Sequence, residues 1–370
     1  MSLPFLPEFP TDYHSILERI DRFDPVRYAR TRNYTDGGVS YLSPYLSRGV
    51  ISTRFVLERL IQNGFKPYQM EKFIQELAWR DYWQQVWIAK GDSIDRDLKQ
   101  QQYPVASHQL SIALAEGRTG IEGIDAGIAQ LLQTGYLHNH VRMYVAMLHC
   151  NVGQTHWYSG AQWMYYHLLD ADWASNALSW QWVAGSNSAK KYIANQENIN
   201  QYTHTNQRNS FLDIPYESIL DMAVPSMLIP RFTLNLTTHL PETKEPVIDV
   251  QKPTLLYTFY QLDPRWKKEM EANRILLLDP DLFSRYPVCN RSIEFVLALA
   301  KEIPGLQVYA GSFAALKQRL GLTEVYFKEH PTNDHFTGIK ENRDWFFPVT
   351  GYFPSFSAYW NQCKKFLNRF

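Results

Sequence analysis

The chain has little cysteine and no long apolar run, and each absence excludes a class of protein. It holds three cysteines, Cys150, Cys289 and Cys363, too few and too scattered for a disulfide framework, a Cys-x-x-Cys zinc site or a four-cysteine iron–sulfur cluster. The chain contains no run of about 18 apolar residues, the length that a membrane-crossing helix needs. The start MSLPFLPEFPTDYHS lacks the charged residues and the apolar stretch of a signal peptide. We therefore expect reduced thiols in a soluble, cytoplasmic protein without membrane contact.

Excess charge of either sign is also missing, since 37 Lys and Arg residues balance 37 Asp and Glu residues. Residues 1–250 carry a small acidic excess and residues 251–370 a small basic one, whereas a nucleic-acid-binding protein normally has a basic surface. Bulk charge therefore argues against tight DNA binding, although a local basic groove is compatible with the sum. Apolar residues make up 45% of the chain and aromatic residues 15%, which is typical of a globular protein.

Hydrophobic periodicity predicts a mainly α chain that begins with an all-helical domain over residues 1–210. Apolar residues recur there at three- and four-residue spacings, in segments several of which stop at glycine. The segments are DYHSILERIDRF, STRFVLERLIQNG, QMEKFIQELAWRDYWQQVWIAKG, GIDAGIAQLLQTG and YLHNHVRMYVAMLHC.

The pattern changes after residue 210. Residues 211–253 contain six prolines and are predicted to be a linker. Residues 254–370 are predicted to form a small α/β domain with a parallel sheet, because strands alternate with helices. Neither G-x-G-x-x-G nor G-x-x-x-x-G-K-[ST] occurs, so no motif marks a dinucleotide or nucleoside triphosphate site. The predicted strands are TLLYTFYQL, RILLLDP, LQVYAG and TEVYFKEHP, and the predicted helices are RSIEFVLALAKEI and SFAALKQRLG.

The stretch DADWASNALSWQW, residues 170–182, concentrates polar and aromatic side chains. Asp172, Asn176 and Trp180 lie at i, i+4 and i+8, so they share one face if the stretch is helical. A buried carboxylate or amide needs a partner or a ligand. The stretch is therefore a candidate ligand site rather than a simple core.

A second helix supplies a candidate cation for these acids. Asn139, Arg142 and Met143 lie on one helical face. Arg142 is either a surface arginine or the buried partner of an aspartate. His138 and His140 are two residues apart and point in nearly opposite directions on a helix, so they cannot chelate one ion, and no metal site is predicted.

Two further segments leave alternatives open. In GGVSYLSPYLSRG, residues 37–49, hydroxyls at a helix start suit phosphate oxygens, but such serines more often serve as helix caps. In QELAWRDYWQQVW, a ligand-binding face and an ordinary amphipathic aromatic helix are about equally good interpretations. The chain also has 11 tryptophans, which usually pack in a core, but which can carry single electrons to a redox cofactor.

Taken in order, these motifs resemble the FAD-binding helical domain of the DNA photolyase and cryptochrome family, over roughly residues 7–200. YARTRNYTDGGVSYLSPYLSRGVIS is similar to the segment that holds the FAD phosphates in that family, although Val39 replaces the usual threonine. The resemblance implies that these residues bind FAD: Tyr28, Val39, Ser40, Tyr41, Leu42 and Ser43.

ELAWRDYW and YLHNHVRM resemble two further family motifs. The first implies that Glu76 and Trp79 face a lesion pocket and that Arg80 lies near the cofactor. The second resembles the branch that repairs cyclobutane dimers, and it implies a substrate role for Asn139 and Met143. The chain departs from the family at Glu122, Ala129 and His140, and the last two replace arginines, which weakens the inference of DNA contacts.

DADWASNALSWQW resembles the family motif Asp-x-Asp-x-Ala-x-Asn-x-x-x-Trp-Gln-Trp. By that resemblance Asp170 pairs with Arg142 beside the flavin, Asp172 binds the cofactor and Asn176 approaches flavin N5. Trp180 is implied to be the first electron donor, and two further assignments follow: Trp157 is the second donor, and Trp182 stacks on a flipped base. Many members have a third donor tryptophan; here KQQQYPVASHQ has none, and Tyr103 is the candidate.

The resemblance implies an FAD-dependent, light-driven deoxyribodipyrimidine photolyase, a carbon–carbon lyase acting on cyclobutane pyrimidine dimers in damaged DNA. The alternative is a cryptochrome-like photosensor that signals through a protein partner. A further alternative is a flavin-binding or structural relative with a degenerate site. The α/β segment follows the FAD domain instead of preceding it, faintly resembles part of the family's antenna domain, and is small, so a second chromophore is not expected.

Overall fold

The computed structural model describes residues 7–367, and the periodic segments of the first 210 residues are helical, as predicted. Within these residues no helix is long and apolar enough to cross a membrane. The helices up to residue 210 are α1 Tyr13–Asp21, α2 Pro25–Thr31, α3 Ser43–Ser47, α4 Thr53–Gln62, α5 Glu71–Lys90, α6 Ile112–Ala115, α7 Glu122–Thr134, α8 Asn139–Met147, α9 Trp157–His167, α10 Trp173–Ala184 and α11 Gln196–Thr203.

Local residue choice sets where several of these helices begin and end. Asp12 and Ser52 cap the starts of α1 and α4, because each side chain accepts a hydrogen bond from a backbone N–H in the first turn. Asp172 caps α10 in the same way. Gly135 and Gly185 end α7 and α10 in the left-handed conformation, with φ of 75° and 85°.

The chain forms two compact units, each assembled from separated segments. The first unit contains Asp24–Val39 and Lys90–Leu236, and the second contains Phe9–Phe23, Ser40–Ala89 and the chain from Thr237 onward. The second unit therefore joins N-terminal helices to the C-terminal sheet. The predicted boundaries, 1–210, 211–253 and 254–370, follow chain order and stay a prediction.

The sheet of the second unit is parallel, as predicted, and has five strands in the order β5-β4-β3-β6-β7. Counted along the chain this is the order 3-2-1-4-5, which is typical of doubly wound folds. The strands are β3 Thr254–Tyr257, β4 Asn273–Leu278, β5 Leu306–Ala310, β6 Val325–Lys328 and β7 Ile339–Glu341; β1 Leu110–Ser111 and β2 Arg231–Phe232 pair antiparallel in the first unit.

Helices α12 Pro280–Arg285, α13 Asn290–Ala300, α14 Phe313–Leu320 and α15 Phe356–Leu367 complete the second unit. The sequence predicted α13 and α14 but missed α12, α15 and the mostly exposed strand β7. Alternate residues of the strands pack against α14, since strand side chains point to opposite faces in turn. That buried cluster contains Leu256, Ile275, Leu277, Tyr309, Phe313, Leu316, Leu322, Val325, Phe327 and Phe336.

Candidate functional site

An ion pair links α8 to the segment before α10 in the first unit. Arg142 Nη2 donates to Asp170 Oδ1 at 3.1 Å and Oδ2 at 2.9 Å, and Arg142 Nε donates to the carbonyl of Leu137 at 2.8 Å. The Asp170 side chain is 7% exposed and that of Arg142 is 23% exposed. The pair expected from the sequence is thus present, with the carboxylate buried and the guanidinium orientation fixed by two partners.

Asp172 and Asn176 lie at the start of α10, though not on one helical face. Asp172 is the residue before the first turn, and its buried carboxylate accepts from Ser175 N at 2.8 Å. Asn176 lies inside the helix, where its Nδ2 donates to the carbonyl of Ala161 at 2.8 Å. The predicted helical periodicity therefore begins one residue too early, because the polar side chain at 172 caps the helix instead of joining its face.

Trp180 lies one turn after Asn176 and is buried against α9. A Cβ at Gly160 would lie 2.4 Å from the Trp180 ring, so the glycine makes room for the indole. His149 makes an edge contact with the same ring at 5.6 Å between centroids. In the described part of the chain, Trp180 Nε1 has no hydrogen-bond partner. This indole is therefore held by packing alone.

Trp157 begins α9, one turn before Gly160, and it is fully buried. In contrast to Trp180, its Nε1 donates to Asp97 Oδ1 at 2.8 Å. Tyr158 makes an edge contact with the Trp157 ring at 5.4 Å. Tyr103, the terminal donor candidate, is 81% exposed.

The loop with the predicted phosphate-binding residues belongs mostly to the second unit. Tyr41 has φ of 52°, an uncommon conformation for a residue other than glycine. Leu42 is fully buried, and its N–H lies 3.4 Å from Ser40 Oγ. Ser43 begins the short helix α3, and the backbone carbonyl of Leu46 in that helix accepts from Arg80 Nη2 at 3.2 Å. Arg80, predicted near the cofactor, thus contacts the helix that follows the loop.

Helix α5 carries Glu76 and Trp79, the predicted lesion-pocket residues of this unit. Glu76 forms an ion pair with Lys72 at 3.4 Å. The Trp79 ring stacks on Phe356 of α15, with centroids 3.7 Å apart and planes 9° apart. One face of this indole is therefore covered by an aromatic ring from the C-terminal helix.

The other predicted site residues of the first unit differ in exposure. Asn139 is exposed, whereas Tyr28, Val39 and Met143 are half-buried. Trp182 is 38% exposed, and its ring lies 6.1 Å from that of Tyr192. Trp182 is thus accessible to a large planar ligand, as its predicted role requires.

Buried histidines in the first unit lose basicity through desolvation. Burial lowers the pKa of His138, His140 and His149 to about 4 in each case, so all three are neutral at pH 7. In the described ranges no group of three or more His, Cys, Asp or Glu side chains could hold a metal ion. His149 therefore places a neutral imidazole against Trp180.

Sequence reasoning missed four contributors to these sites: Asp97, His149, Gly160 and Phe356. Asp97 is 60 residues from its partner Trp157, and Phe356 lies in a helix that was not predicted. Gly160 in the middle of a helix was a detectable signal, because an interior glycine there usually marks a close approach.

Comparison with known proteins shows what residues 73–213 are similar to. The family profile described as the FAD binding domain of DNA photolyase matches residues 73–213. A deoxyribodipyrimidine photo-lyase of Alkalihalophilus pseudofirmus is 31% identical over 175 residues, covering 45% of this chain and 36% of the relative. Cryptochrome DASH of Danio rerio is 33% identical over 172 residues, covering 43% and 32%. The crystal structure of a Synechocystis cryptochrome has a TM-score of 0.49 and 26% identity, covering 53% of this chain and 44% of its own.

The chain thus matches about a third of the length of these curated relatives. The first unit presents a fixed guanidinium, two buried carboxylates and a buried amide beside an indole, and this set of donors and acceptors fits the polar edge of a flavin ring. Residues 73–213 therefore resemble the FAD-binding domain of DNA photolyases and cryptochromes, and the cofactor is FAD.

Proposed function

We propose that the chain is a light-driven lyase that splits cyclobutane pyrimidine dimers in DNA. The observation that carries the proposal is the set of polar side chains held in the first unit: the Arg142–Asp170 pair, the buried Asp172, and Asn176 one turn before Trp180 on α10. FAD, when bound, supplies the one-electron chemistry that side chains lack. The protein residues orient that group and keep it reduced.

Each residue of this set has a distinct proposed role. The Arg142–Asp170 pair orients the flavin edge, because both groups are fixed before the cofactor arrives. Asn176, whose Nδ2 donates to the Ala161 carbonyl, would contact the flavin ring, the role that the family resemblance implies for it. Trp180 returns oxidised flavin to the reduced state by donating an electron, and Trp157 refills Trp180.

The substrate role falls to the accessible aromatic residues. A dimer inside a duplex must flip out to reach the cofactor. Trp182 offers an exposed ring on which the flipped dimer would stack. The family resemblance adds Asn139 and Met143 of α8 as proposed substrate contacts, and it proposes the same role for Glu76 and Trp79 of the second unit.

We propose that this chain makes fewer contacts to DNA phosphates than the family motif implies. His140 stands where the family motif has arginine; its Nε2 lies 3.3 Å from Tyr192 Oη, and its pKa is lowered to about 4. At neutral pH it adds no positive charge against a phosphate. We therefore expect dimer recognition to depend more on stacking than on counterion release, with a shallow dependence of affinity on salt.

A dimer-repair assay tests the proposal. The purified chain, loaded with FAD and photoreduced, is illuminated with an oligonucleotide that contains one thymine dimer, and restored thymines are measured by chromatography. The same mixture in the dark is the control. Retained dimers under light, with FAD bound and the oligonucleotide bound, would exclude repair.

A photosensor is the second candidate, and the Phe356 stack favours it. A ring at 3.7 Å occupies the face of Trp79 on which a base would otherwise stack. Under this proposal the flavin and tryptophans respond to light, and a protein partner replaces DNA. Light-induced flavin reduction without dimer splitting, in wild type and after Phe356→Leu, is the result that selects the photosensor.

We further propose that the C-terminal α/β segment is a permuted relative of the family's antenna domain and holds no second chromophore. In doubly wound sheets, ligands bind at the carboxyl ends of the strands where the strand order reverses, here β3 and β6. His330, after β6, stacks on Tyr260, after β3, at 4.2 Å. The Arg48 guanidinium lies 3.6 Å from the Phe259 ring centroid. These side chains occupy the crevice in which a planar chromophore would bind.

A further inference from the structure

The two tryptophans of the proposed relay have different surroundings at their indole nitrogens. Trp157 Nε1 donates to the Asp97 carboxylate at 2.8 Å, whereas Trp180 Nε1 has no partner in the described part of the chain. Trp157 is fully buried, and the Asp97 side chain is 18% exposed. A carboxylate thus connects a buried N–H to the protein surface.

The different surroundings of the two indoles affect how stable a positive charge is on each of them. A negative group in contact with an indole stabilises the positive charge that appears when the indole loses an electron, and burial strengthens that interaction. In the described residues the ring partner of Trp180 is His149, whose imidazole is neutral. Positive charge is therefore more stable on Trp157 than on Trp180.

Asp97 is also placed to accept a proton. Its Oδ1 contacts the Trp157 N–H, and its Oδ2 accepts from Gln102 N at 2.9 Å. His156 Nε2 lies 3.4 Å from Asp97 Oδ1 and is itself partly exposed. Because an indole N–H becomes strongly acidic after one-electron oxidation, the carboxylate in contact with it is the natural base.

We propose that Asp97 is the proton acceptor that ends the electron relay at Trp157. The inference rests on the proposed photoreduction of FAD. Trp180 gives one electron to the photoexcited oxidised flavin, and Trp157 gives one electron to oxidised Trp180. Oxidised Trp157 then transfers its Nε1 proton to Asp97, which leaves a neutral indolyl radical and a carboxylic acid. An external thiolate returns one electron to Trp157 and becomes a thiyl radical, and Asp97 returns the proton, which restores the indole and the carboxylate.

This step gives the chain a way to function without a third tryptophan. Loss of the proton makes the return of the electron to Trp157 unfavourable until a proton comes back, so the charge-separated state lives longer. Tyr103 need not be a donor. An alternative role for Asp97 is purely structural, namely to orient the Trp157 ring through the hydrogen bond.

Asp97→Asn separates the two roles, because the amide oxygen still accepts the N–H bond but does not take a proton. After a light flash, the absorption spectrum distinguishes a neutral tryptophan radical from a radical cation. We expect the neutral radical in wild type and the cation in the variant, with a lifetime shortened on the order of a hundredfold, as for the loss of a positioned base. Asp97→Glu is expected to restore the neutral radical.

Asp95→Asn is the matched control. Asp95, on the same segment, accepts from Trp173 Nε1 at 2.7 Å, so the variant removes an equivalent charge beside an indole outside the relay and likewise keeps an acceptor for the N–H. Its radical spectrum and lifetime should equal those of wild type. Flavin content and the NMR signal of the Trp157 indole N–H, measured in the dark, report whether each variant keeps its fold and its hydrogen bond.

Several outcomes would overturn the proposal. A neutral Trp157 radical of normal lifetime in Asp97→Asn would assign Asp97 a structural role. The wild-type protein offers a second test. If its radical cation decays at the same rate in H2O and in D2O, proton transfer is contradicted. If wild type binds FAD but forms no tryptophan radical, the proposed photoreduction is at fault, whereas a radical that stays cationic in wild type refutes only the role of Asp97.

Discussion

Trp180 and Asn176 occupy successive turns of α10, and each is held by α9: the indole packs against Gly160, and the amide donates to the Ala161 carbonyl. One helix thus positions both the proposed electron donor and the proposed flavin contact. Because the two side chains have separate supports, one can be changed without moving the other.

Trp180→Phe should abolish light-driven reduction of oxidised flavin, because phenylalanine is a far harder one-electron donor, while FAD stays bound. The loss of packing should cost about 1 to 3 kcal/mol of stability. Flavin absorbance under blue light with a thiol present measures the reduction. Trp163→Phe removes an indole of α9 outside the relay and should leave the rate unchanged. Equal rates in all three proteins would exclude Trp180 as the donor.

Asp170→Ala should release FAD and destabilise the first unit by about 3 kcal/mol, since removing one partner of a buried ion pair strands the other. Arg142, 23% exposed, regains some solvation, which keeps the cost near the lower end of the usual range. Urea denaturation and flavin content give the two measurements. The double variant Arg142→Met with Asp170→Ala should recover part of the stability, and additive losses would contradict the pairing.

At the scale of elements, hydrogen bonds connect helix α5 to the segment Arg343–Phe353. Asp81 Oδ2 accepts from Phe346 N at 2.8 Å, and Gln85 Oε1 accepts from Gly351 N at 2.9 Å. Tyr82 Oη donates to the carbonyl of Phe353 at 3.2 Å. These bonds bury a carboxylate within the second unit, and burial raises the pKa of Asp81 to about 6 from its ordinary 3.8.

The raised pKa predicts a pH dependence of stability. Between about pH 4 and pH 6 the folded chain binds a proton at Asp81 that the unfolded chain has released, so the free energy of unfolding falls as pH rises through this window. Asp81→Asn cannot titrate and keeps an acceptor for Phe346 N. Its stability relative to wild type should therefore rise across the window by up to about 3 kcal/mol. Urea denaturation at several pH values measures the difference, and parallel pH profiles would contradict the assignment.

At the scale of the whole molecule, α15 decides what Trp79 can contact. Phe356→Leu removes the stacked ring and should raise the affinity for dimer-containing oligonucleotide, at a stability cost of about 1 kcal/mol. Phe313→Leu is the control, because it removes the ring stacked on Phe336 at 4.5 Å in the core beneath the sheet. Fluorescence anisotropy of labelled DNA gives the affinities. If the two variants bind alike, the Trp79 face does not take up a base.

The stack of His330 on Tyr260, after β6 and β3, predicts the chromophore content of the chain under the proposal made above. Acid release should yield one FAD per chain and no second pigment, because His330 and Tyr260 stack where such a ring would lie. Chromatography of the released pigments and the near-ultraviolet absorption spectrum measure this. A second pigment in stoichiometric amount would contradict the proposal.

The sequence by itself determined the resemblance to the FAD-binding domain of photolyases, the FAD cofactor, most helices and four of the five parallel strands. Periodicity and motif order are local properties, and local hydrogen bonding follows them. The sequence also predicted that Asp170 needs a cationic partner, because a buried carboxylate requires one. Asp172 was misassigned to a helical face, since spacing alone does not distinguish a first-turn residue from a cap.

Only the tertiary structure decided which carboxylate meets which indole. Asp97 and Trp157 are 60 residues apart, and Phe356 of α15 stacks on Trp79 of α5, which is far from it in the chain, so no periodicity links either pair. Such contacts arise when separate elements pack, and they fix the polarity around each indole and the covering of Trp79. The motifs therefore indicate a flavin protein, while the contacts between distant residues decide where the proposed electron relay would end and which aromatic faces stay accessible.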